Sequence, residues 1–352
     1  MARVTLQTIA DRVGVSRMTV SNAFSRPDQL STELRTRILA AATELGYAGP
    51  DPAARALARG TTGTVGVLLT DSLEHAFSDE VAAGFMTAVA AQLSPTGLAL
   101  TLLTSSTRAD LIPARDIPMD GALVYSCEVD SPSLEWLQRR KVPLVFVDQD
   151  RVAGVPSVNI DDRGGARQAA EHIVQLGHRR VGIVTASVDG PVGITTDPLR
   201  SATGHVQRQR LLGWTDALHA AGIEPVVYQD AYGADDRGEP GARALLAHDP
   251  TITAVLCFSD VIALGVSGAM SDLGRRVPAD VSVVGFDDNP LARQARPALT
   301  TVRQDVVAKG RESAAALLAM ILRAKNGDVG RARHLVLPTE LVVRASTAAP
   351  PR

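Results

Sequence analysis

Nowhere in this chain do 18 apolar residues follow one another, which excludes a membrane-spanning helix of ordinary length. The N-terminus lacks the apolar core of a secretory signal, so the expected location is the cytoplasm. Cysteine is almost absent. Cys127 and Cys257 each follow an apolar, strand-like run, with no partners at the spacing that a disulfide framework or metal site requires, and both read as reduced thiols near strand ends. His172 and His178 stand six residues apart, off the i, i+4 spacing that puts two ligands on one helix face. No metal site is expected, and His178 beside Gly177 reads as a cation at a helix C-terminus. The apolar run at Thr64–Asp71 is not followed by Gly-x-Gly-x-x-Gly, and neither a Gly-x-Ser-x-Gly elbow nor a Walker loop occurs. A dinucleotide cofactor, a catalytic residue and an enzymatic activity are therefore not expected. Arginine outnumbers lysine 33 to 3, which we read as genomic compositional bias.

What the chain does have is concentrated at its start. Residues 6–24 contain two short amphipathic helical patterns separated by Gly14. Ile9, Ala10, Val13, Val15, Val20 and Ala23 form the apolar set. The second pattern leaves Ser16, Arg17, Met18, Thr19, Ser21 and Asn22 outside it. Ala10 is small enough to let two helices cross closely, and Gly14 supplies the positive φ of a tight turn. Arg17, Met18 and Asn22 then point away from the protein with side chains suited to a DNA major groove. Residues 1–60 carry eight arginines and five acids, a net +3 that leaves −5 on the remainder. A basic head on an acidic body suits phosphate contact at one end only.

Ser31 can cap a third helix bearing Leu34, Ile38, Leu39, Ala42 and Leu45, closed by Gly46. Gly49–Gly60 then reads as a short alanine-rich linker helix, too short to be stable alone and expected to fold on DNA or against a twin. At 352 residues the chain needs more than one core. From Thr64 onward nine apolar strand candidates alternate with amphipathic helices: Val65–Leu69, Leu98–Leu103, Gly121–Tyr125, Leu144–Val147, Ser157–Ile160, Val181–Val184, Val226–Tyr228, Ala254–Phe258 and Val281–Gly285. Nine parallel strands exceed one comfortable sheet. The fold class expected is α/β, with a small all-α helix-turn-helix domain followed by two doubly wound parallel-sheet lobes. A cleft outside the carboxyl ends of their strands is the natural ligand site.

The chain resembles the LacI/GalR family of bacterial transcription regulators, nearly end to end. The resemblance rests on Val4–Ala10 and Gly14–Ser21, on Ala40–Tyr47, on the linker Ala53–Leu57, on Glu171–Arg180 and Gly213–Trp214, and on Ser259–Gly265, Val281–Asp288, Leu299–Gln304 and Leu337–Arg344. It implies lobes of periplasmic-binding-protein type and a homodimer with one DNA head per subunit on a pseudo-palindromic operator. DNA affinity would be controlled by a small polar, sugar-like effector, most simply as a repressor. A co-repressor-dependent regulator and a two-lobed solute-binding protein are the alternatives. The expected domains are 1–48 for the head, 49–62 for the hinge helix, 63–161 plus about 290–325 for one lobe, and 162–289 plus about 326–346 for the other.

Family positions place Arg17, Met18 and Asn22 on base edges. Chemistry suits Arg17 to guanine, Met18 to a thymine methyl and Asn22 to adenine or a phosphate. Thr5, Ser16, Thr19, Ser21 and Ser31 match phosphate-contacting positions, and Leu6 belongs to the same DNA-facing set. Leu57 matches a linker leucine wedged into a base step from the minor groove, flanked by Ala54 and Arg55; it can alternatively pack on its dimer mate. For the effector, the matching positions are Leu73, Phe77, Asp148, Arg210, Ser259, Asp260, Asp287 and Gln304. Asp287 with Asp288 can alternatively cap a turn, Asp260 can cap a helix, and Gln304 can be a hinge residue. Ser259 stands where many sugar-binding members have Asn, which counts against a pyranose. Residues 187–205 form a long polar segment expected to be a mobile loop or lid. Residues 104–119 are proline-broken where the family has a full helix, and no leucine heptads follow for a tetramer-forming helix.

Overall fold

The computed structural model describes residues 4–49, 51–69, 74–104, 112–126, 131–187, 190–231, 238–328 and 330–352. The chain divides into two compact units, residues 1–63 and 64–352. The first is all helical: α1 Leu6–Val13, α2 Arg17–Ser25, α3 Thr32–Glu44 and α4 Pro52–Arg59. Each of the first three helices starts on a hydroxyl that accepts a hydrogen bond from a backbone N–H three residues on: Thr5 from Thr8, Ser16 from Thr19 and Ser31 from Leu34. Gly14 closes α1 at φ 79°, the left-handed conformation that only glycine adopts without penalty. Ile9, Ala10, Val20, Ala23, Ile38, Ala41 and Ala42 form the buried centre, with Phe24 and Tyr47 packed edge-to-face at 5.7 Å. The third helix closes this core as expected. The linker is helical over Pro52–Arg59, with Leu57 87% exposed.

Among the described residues the second unit holds thirteen strands: β1 Thr64–Leu69, β2 Ala99–Thr104, β3 Gly121–Tyr125, β4 Leu144–Val147, β5 Ser157–Ile160, β6 Val181–Ser187, β7 Gly193–Thr195, β8 Val226–Ala231, β9 Ala254–Cys257, β10 Ser282–Asp287, β11 Thr300–Gln304, β12 His334–Leu337 and β13 Thr339–Val342. Its helices are α5 His75–Ser78, α6 Glu80–Leu93, α7 Pro113–Asp116, α8 Pro132–Arg139, α9 Asp162–Gln175, α10 His205–Ala220, α11 Glu239–His248, α12 Asp260–Asp272, α13 Pro290–Gln294 and α14 Val306–Asn326. The strands form a six-stranded sheet ordered β12-β5-β4-β3-β1-β2 and a seven-stranded sheet ordered β13-β11-β10-β9-β6-β8-β7. The first sheet is parallel throughout, while β7 and β13 run antiparallel at the edges of the second. Both sheets are covered by helices on two faces, which is why central strands such as β3, β4 and β9 read as apolar runs.

The chain passes between the lobes three times, and two passages differ from the expected ones. It leaves the first sheet after β5 at Asp161, returns after β11 at Asp305 and crosses again at Pro338. Residues 290–304 therefore belong to the second lobe and β12 to the first. The reason is pairing: Val284–Asp287 register with Thr300–Arg303 and hold β11 to the second sheet, while His334–Leu337 register with Ser157–Ile160. At the hinge the Asp161 N–H donates to the Leu337 carbonyl, and the Thr339 hydroxyl donates to the Asp161 carbonyl, both at 2.9 Å.

Segment 187–205 is not a free lid where it is described. It adds β7 to the sheet edge beside β8. The Gln229 side chain ties it down, donating to the Pro191 carbonyl at 3.0 Å and accepting from Ser201 at 2.6 Å. Within 104–119 the described helix is the four-residue α7. His178 is corrected as well: it is buried, bonded to Thr253, Ser282 and the Ala348 carbonyl, and burial keeps its pKa below the usual histidine range. It anchors the C-terminal tail as a neutral ring, with His172 on Thr347 beside it.

Close helix crossings rest on two glycines. A β-carbon on Gly213 of α10 would lie 2.3 Å from the Arg163 carbonyl oxygen of α9, and one on Gly310 of α14 would lie 2.8 Å from the Phe85 carbonyl oxygen of α6. Backbone cannot retreat as a side chain can. Gly213→Ala should lose about 1–3 kcal/mol of stability through overpacking. Gly268→Ala in α12, with nothing within 4 Å of the added carbon, should gain about 0.5–1 kcal/mol from helix propensity. Urea unfolding of the two variants beside the parent checks the opposite signs.

Candidate functional site

Two places in the chain gather chemistry. On the head, Arg17 and Met18 project from the first turn of α2, and Met18 is 70% exposed although the helix's other large apolar residues are covered. Asn22, one turn on, is half-buried and donates its amide to Gln29 at 3.1 Å. Thr5, Ser16, Thr19 and Ser31 spend one acceptor each, or share a hydroxyl contact, in capping. The Ser31 hydroxyl proton, and whichever protons the Thr5–Thr8 and Ser16–Thr19 contacts do not use, can still serve a phosphate. Leu6 and Ser21 are half-buried, with Leu6 against the mini-core, and Ala54, Arg55 and Leu57 are exposed on the linker helix.

The second place lies between the lobes of residues 64–352, where parallel strands end. Asp148 follows β4 and Asp287 ends β10, both with positive φ, 54° and 118°. Such backbone costs about 1–3 kcal/mol per residue and persists only where surrounding contacts enforce it. Here the contacts form one buried chain. Lys309 on α14 donates to Asp148 at 2.5 Å and to the Gln304 carbonyl oxygen of the side-chain amide at 3.0 Å. Gln304 donates in turn to Asp287 at 2.7 Å. Arg210 on α10 pairs with Asp287 at 3.5 Å and with Asp162, at the start of α9, at 2.8 Å. It also donates to the Phe258 carbonyl and lies over the Phe286 ring, 3.6 Å from its centroid. Asp148 and Lys309 belong to the first lobe, Asp287, Arg210 and Asp162 to the second, so the chain of charges bridges the cleft.

Beside it, Asp150 takes hydrogen bonds from His205 at 2.8 Å and from Arg208, both on α10. Burial alone would push its carboxyl up; these two partners outweigh it and hold the pKa below the usual carboxylate range. Deeper in, burial dominates and keeps Asp162 and Asp287 above that range despite Arg210, Asp287 reaching about 7. The same burial, with Asp287 nearby, pushes Asp260 up to about 8.

Several polar atoms here have no partner among the described residues: Asp148 Oδ1, Asp162 Oδ2, both amide atoms of Gln149, Gln207 Nε2 and Thr185 Oγ1. Each belongs to a residue at most 5% exposed. Unpaired buried acceptors and donors cost about 1–3 kcal/mol each, and a ligand carrying several hydroxyls has the mixed donor and acceptor character to satisfy them.

Of the residues expected at the effector site, Asp148, Arg210, Asp287 and Gln304 meet in this network. Ser259 and Asp260 are turned to other work. The Ser259 hydroxyl caps α12 by accepting from the Ile262 N–H at 3.2 Å. The Asp260 carboxylate accepts from Thr301 at 2.5 Å and from the Asn289 N–H at 2.9 Å, bracing α12 against β10 and β11. Phe77 is 69% exposed on α5 and joins no part of the buried chain, and Leu73 lies outside the described residues, as does Cys127. Asp288 is spent on Arg303 and Arg344. Sequence reasoning missed Gln149, Asp162, Gln207 and Lys309. The signal for Lys309 was present: one of three lysines, it falls on the buried stripe Gly310, Ser313, Ala314, Leu317 and Ile321 of α14.

Residues 5–49 match the family of "Bacterial regulatory proteins, lacI family", and residues 170–347 match a periplasmic binding protein-like domain. An HTH-type transcriptional regulator of Mycolicibacterium smegmatis is 39% identical over 368 residues, covering 99% of this chain and 97% of that protein. The chain belongs to the LacI family of bacterial transcriptional regulators. Among solved structures, a transcriptional regulator CelR–cellobiose complex is 31% identical, with TM-score 0.70 and 98% of this chain and 100% of that one covered. The Lac repressor dimer bound to operator and the anti-inducer ONPF is 26% identical with TM-score 0.75, covering 98% of this chain and 99% of that one. The fold of this LacI-family regulator, a helix-turn-helix head and a periplasmic-binding-protein-like body, is thus the expected one. Its relatives are regulators and not enzymes, in agreement with the sequence. No described helix is long and apolar enough to cross a membrane.

Two predictions come from the buried charges. Lys309→Met leaves Asp148 buried without its cation and should cost about 3–5 kcal/mol of unfolding free energy, most of it recovered in the Lys309→Met/Asp148→Asn double variant. Chemical denaturation at neutral pH reads both. Asp260 and Asp287 hold their protons in the folded state up to about pH 8 and about 7. The unfolded chain releases them near pH 4. The folded state therefore binds more protons between these limits, and stability falls as pH rises through them. In Asp260→Asn that decline should be shallower than in the parent when unfolding is followed from about pH 5 to 8.

Proposed function

We propose that this regulator is a homodimeric, effector-responsive repressor in the cytoplasm. It would bind a pseudo-palindromic operator through two heads, and a small polyhydroxylated, sugar-like molecule in the inter-lobe cleft would relieve repression. The observation that carries the reading is the set of unpartnered polar atoms between the lobes, in the same chain as a head that displays Arg17 and Met18 to solvent. In the head, Arg17 would read guanine, Met18 a thymine methyl, and Asn22 adenine or a phosphate after releasing Gln29. Thr5, Ser16, Thr19, Ser21 and Ser31 would meet phosphates, with Leu6 holding α1 in place. Leu57, between exposed Ala54 and Arg55 and the rest of α4, would wedge into the central base step; an 87% exposed leucine is otherwise uncompensated apolar surface.

In the cleft, Asp148, Gln149, Asp162, Gln207, Arg210, Asp287 and Gln304 would contact the effector. Hydroxyls would donate to the free carboxylate oxygens and accept from the two amides. The network they complete joins the lobes, so an occupant that alters it changes the relation between Asp148 on one side and Asp287 on the other. That is the differential contact an allosteric ligand requires. The regulator CelR solved with cellobiose supports a sugar in the equivalent body, and the operator-bound Lac repressor dimer supports the two-headed assembly.

Removal of residues 1–60 tests the division of labour. The remaining body should dimerise and retain effector binding, read by thermal shift against a panel of sugars and polyols, while operator binding in a gel-shift assay disappears. Persistence of DNA binding would refute the assignment of the head. In the full chain, Arg17→Ala should cost about 1–3 kcal/mol of operator affinity and relax specificity at one base pair. Leu57→Ala should reduce operator bending with effector affinity unchanged.

A further inference from the structure

The body carries net charge −5, yet one end of its first lobe is cationic. Between Ile321 and His334 the chain holds Arg323, Lys325, Arg331 and Arg333 against the single acid Asp328. All four are exposed and none forms an ion pair among the described residues, whereas exposed arginines on α8, α9 and α11 pair with Glu135, Asp216 and Glu239. Lys141, exposed and likewise without an ion pair among the described residues, lies just before β4. The helix macrodipole accounts for Arg323 and Lys325 in the last turn of α14, but not for Arg331 and Arg333 beyond it.

Topology places these cations together. The strands of the first sheet are parallel, so their starts form one rim: Arg333 precedes β12, Lys141 precedes β4, the acid Asp120 precedes β3, and Thr64 begins β1. Backbone bonds run along it, from the Ser157 N–H to the Arg333 carbonyl at 3.1 Å and from the Asp120 N–H to the Thr64 carbonyl at 2.8 Å. A β-carbon on Gly121, the first residue of β3, would lie 2.9 Å from Ile321 Cγ1, so the end of α14 sits over the same rim. With strands about 4.8 Å apart, Arg333 stands roughly 19 Å from Thr64, measured along the sheet edge. Thr64 is also where the chain arrives from the linker helix, with residues 60–63 between it and Arg59. The five steps from Arg59 to Thr64 span at most about 18 Å.

We propose that Arg323, Lys325, Arg331 and Arg333, with Lys141, form a second, sequence-independent contact to the phosphates of duplex DNA flanking the operator. The inference rests on the operator-binding reading above and adds a surface outside the helix-turn-helix and linker. Its chemistry is counterion release: unpaired arginines at a fixed rim exchange condensed cations for phosphate without reading bases.

The test compares the full-length protein on two duplexes. One is an operator core of about 20 bp, two half-sites one turn apart, obtained by selection from random DNA with the same protein. The other is that core extended by about one further turn on each side. The parent should bind the extended duplex about tenfold or more tightly at low salt, with a plot of log affinity against log salt steeper by about 2 or more. The quadruple variant Arg323→Gln/Lys325→Gln/Arg331→Gln/Arg333→Gln should lose that difference while binding the short duplex like the parent. Replacing the three arginines by lysine should preserve it. Equal affinity and slope on the two lengths for the parent would overturn the rim contact and leave the head assignment standing. Recovery of no operator at all would overturn both. A quadruple variant that melts at the parent's temperature and still distinguishes the duplexes would overturn the assignment to these four residues.

Discussion

The body of this regulator depends on one buried ionic chain, from Asp148 through Lys309, Gln304, Asp287 and Arg210 to Asp162. Charges removed from water are costly unless each meets an opposite charge with good geometry. Here the condition is met only when the first lobe supplies Asp148 and Lys309 and the second supplies Asp287, Arg210 and Asp162. The relation of the lobes and the electrostatics of the cleft are therefore one problem. The backbone reflects it: Asp148 and Asp287 are held at positive φ at the ends of their strands, where the turn delivers each carboxylate into the chain.

The chain of charges is complete except at its flanks. Asp148 and Asp162 each keep one oxygen unpaired, and Gln149 keeps its whole amide. A site of that kind is built for a molecule rich in hydroxyls, because its unmet needs include both donors and acceptors at positions that water has left. Its cations are already committed, Arg210 to two carboxylates and Lys309 to a third. The head works on an opposite principle. There the polar groups are satisfied locally, as helix caps on Thr5, Ser16 and Ser31, and what remains outside is apolar or unpaired: Met18, Arg17 and Leu57.

Much of this was legible in the residues. The helix-turn-helix followed from Ala10, Gly14, Val15 and Val20 because a small crossing residue, a left-handed glycine and two packing valines are local requirements, met within a dozen positions. Strands β3 and β4 appear at the expected residues because doubly covered strands are apolar throughout, and β5 appears there too although Ser157 and Asn159 interrupt its apolar pattern. β7, β11, β12 and β13 escaped that reading: they are edge or near-edge strands, with polar residues such as Thr301, Arg303 and Glu340 in β11 and β13, and it is pairing with neighbours distant in the chain that makes them strands. Ser259 and Asp260 occupied family positions for a ligand but serve α12: Ser259 caps the helix start, and Asp260, buried, takes the Asn289 N–H and the Thr301 hydroxyl.

By itself the sequence determined the class of each part: a three-helix head, an alanine-rich linker, and a body of alternating strands and helices. Those properties arise from contacts between residues close along the chain, or from solvent exclusion on two faces of a strand, and both leave periodic traces. Tertiary structure alone decided where the chain changes lobes and which of its 38 acids matter to the cleft. Asp162 and Lys309 lie 147 positions apart along the chain, and neither sits in a local pattern that names its partner. Only the fold, by ending β4, β10 and β11 at one place and aiming α10 and α14 toward it, turns an isolated lysine and a second aspartate into members of a single site.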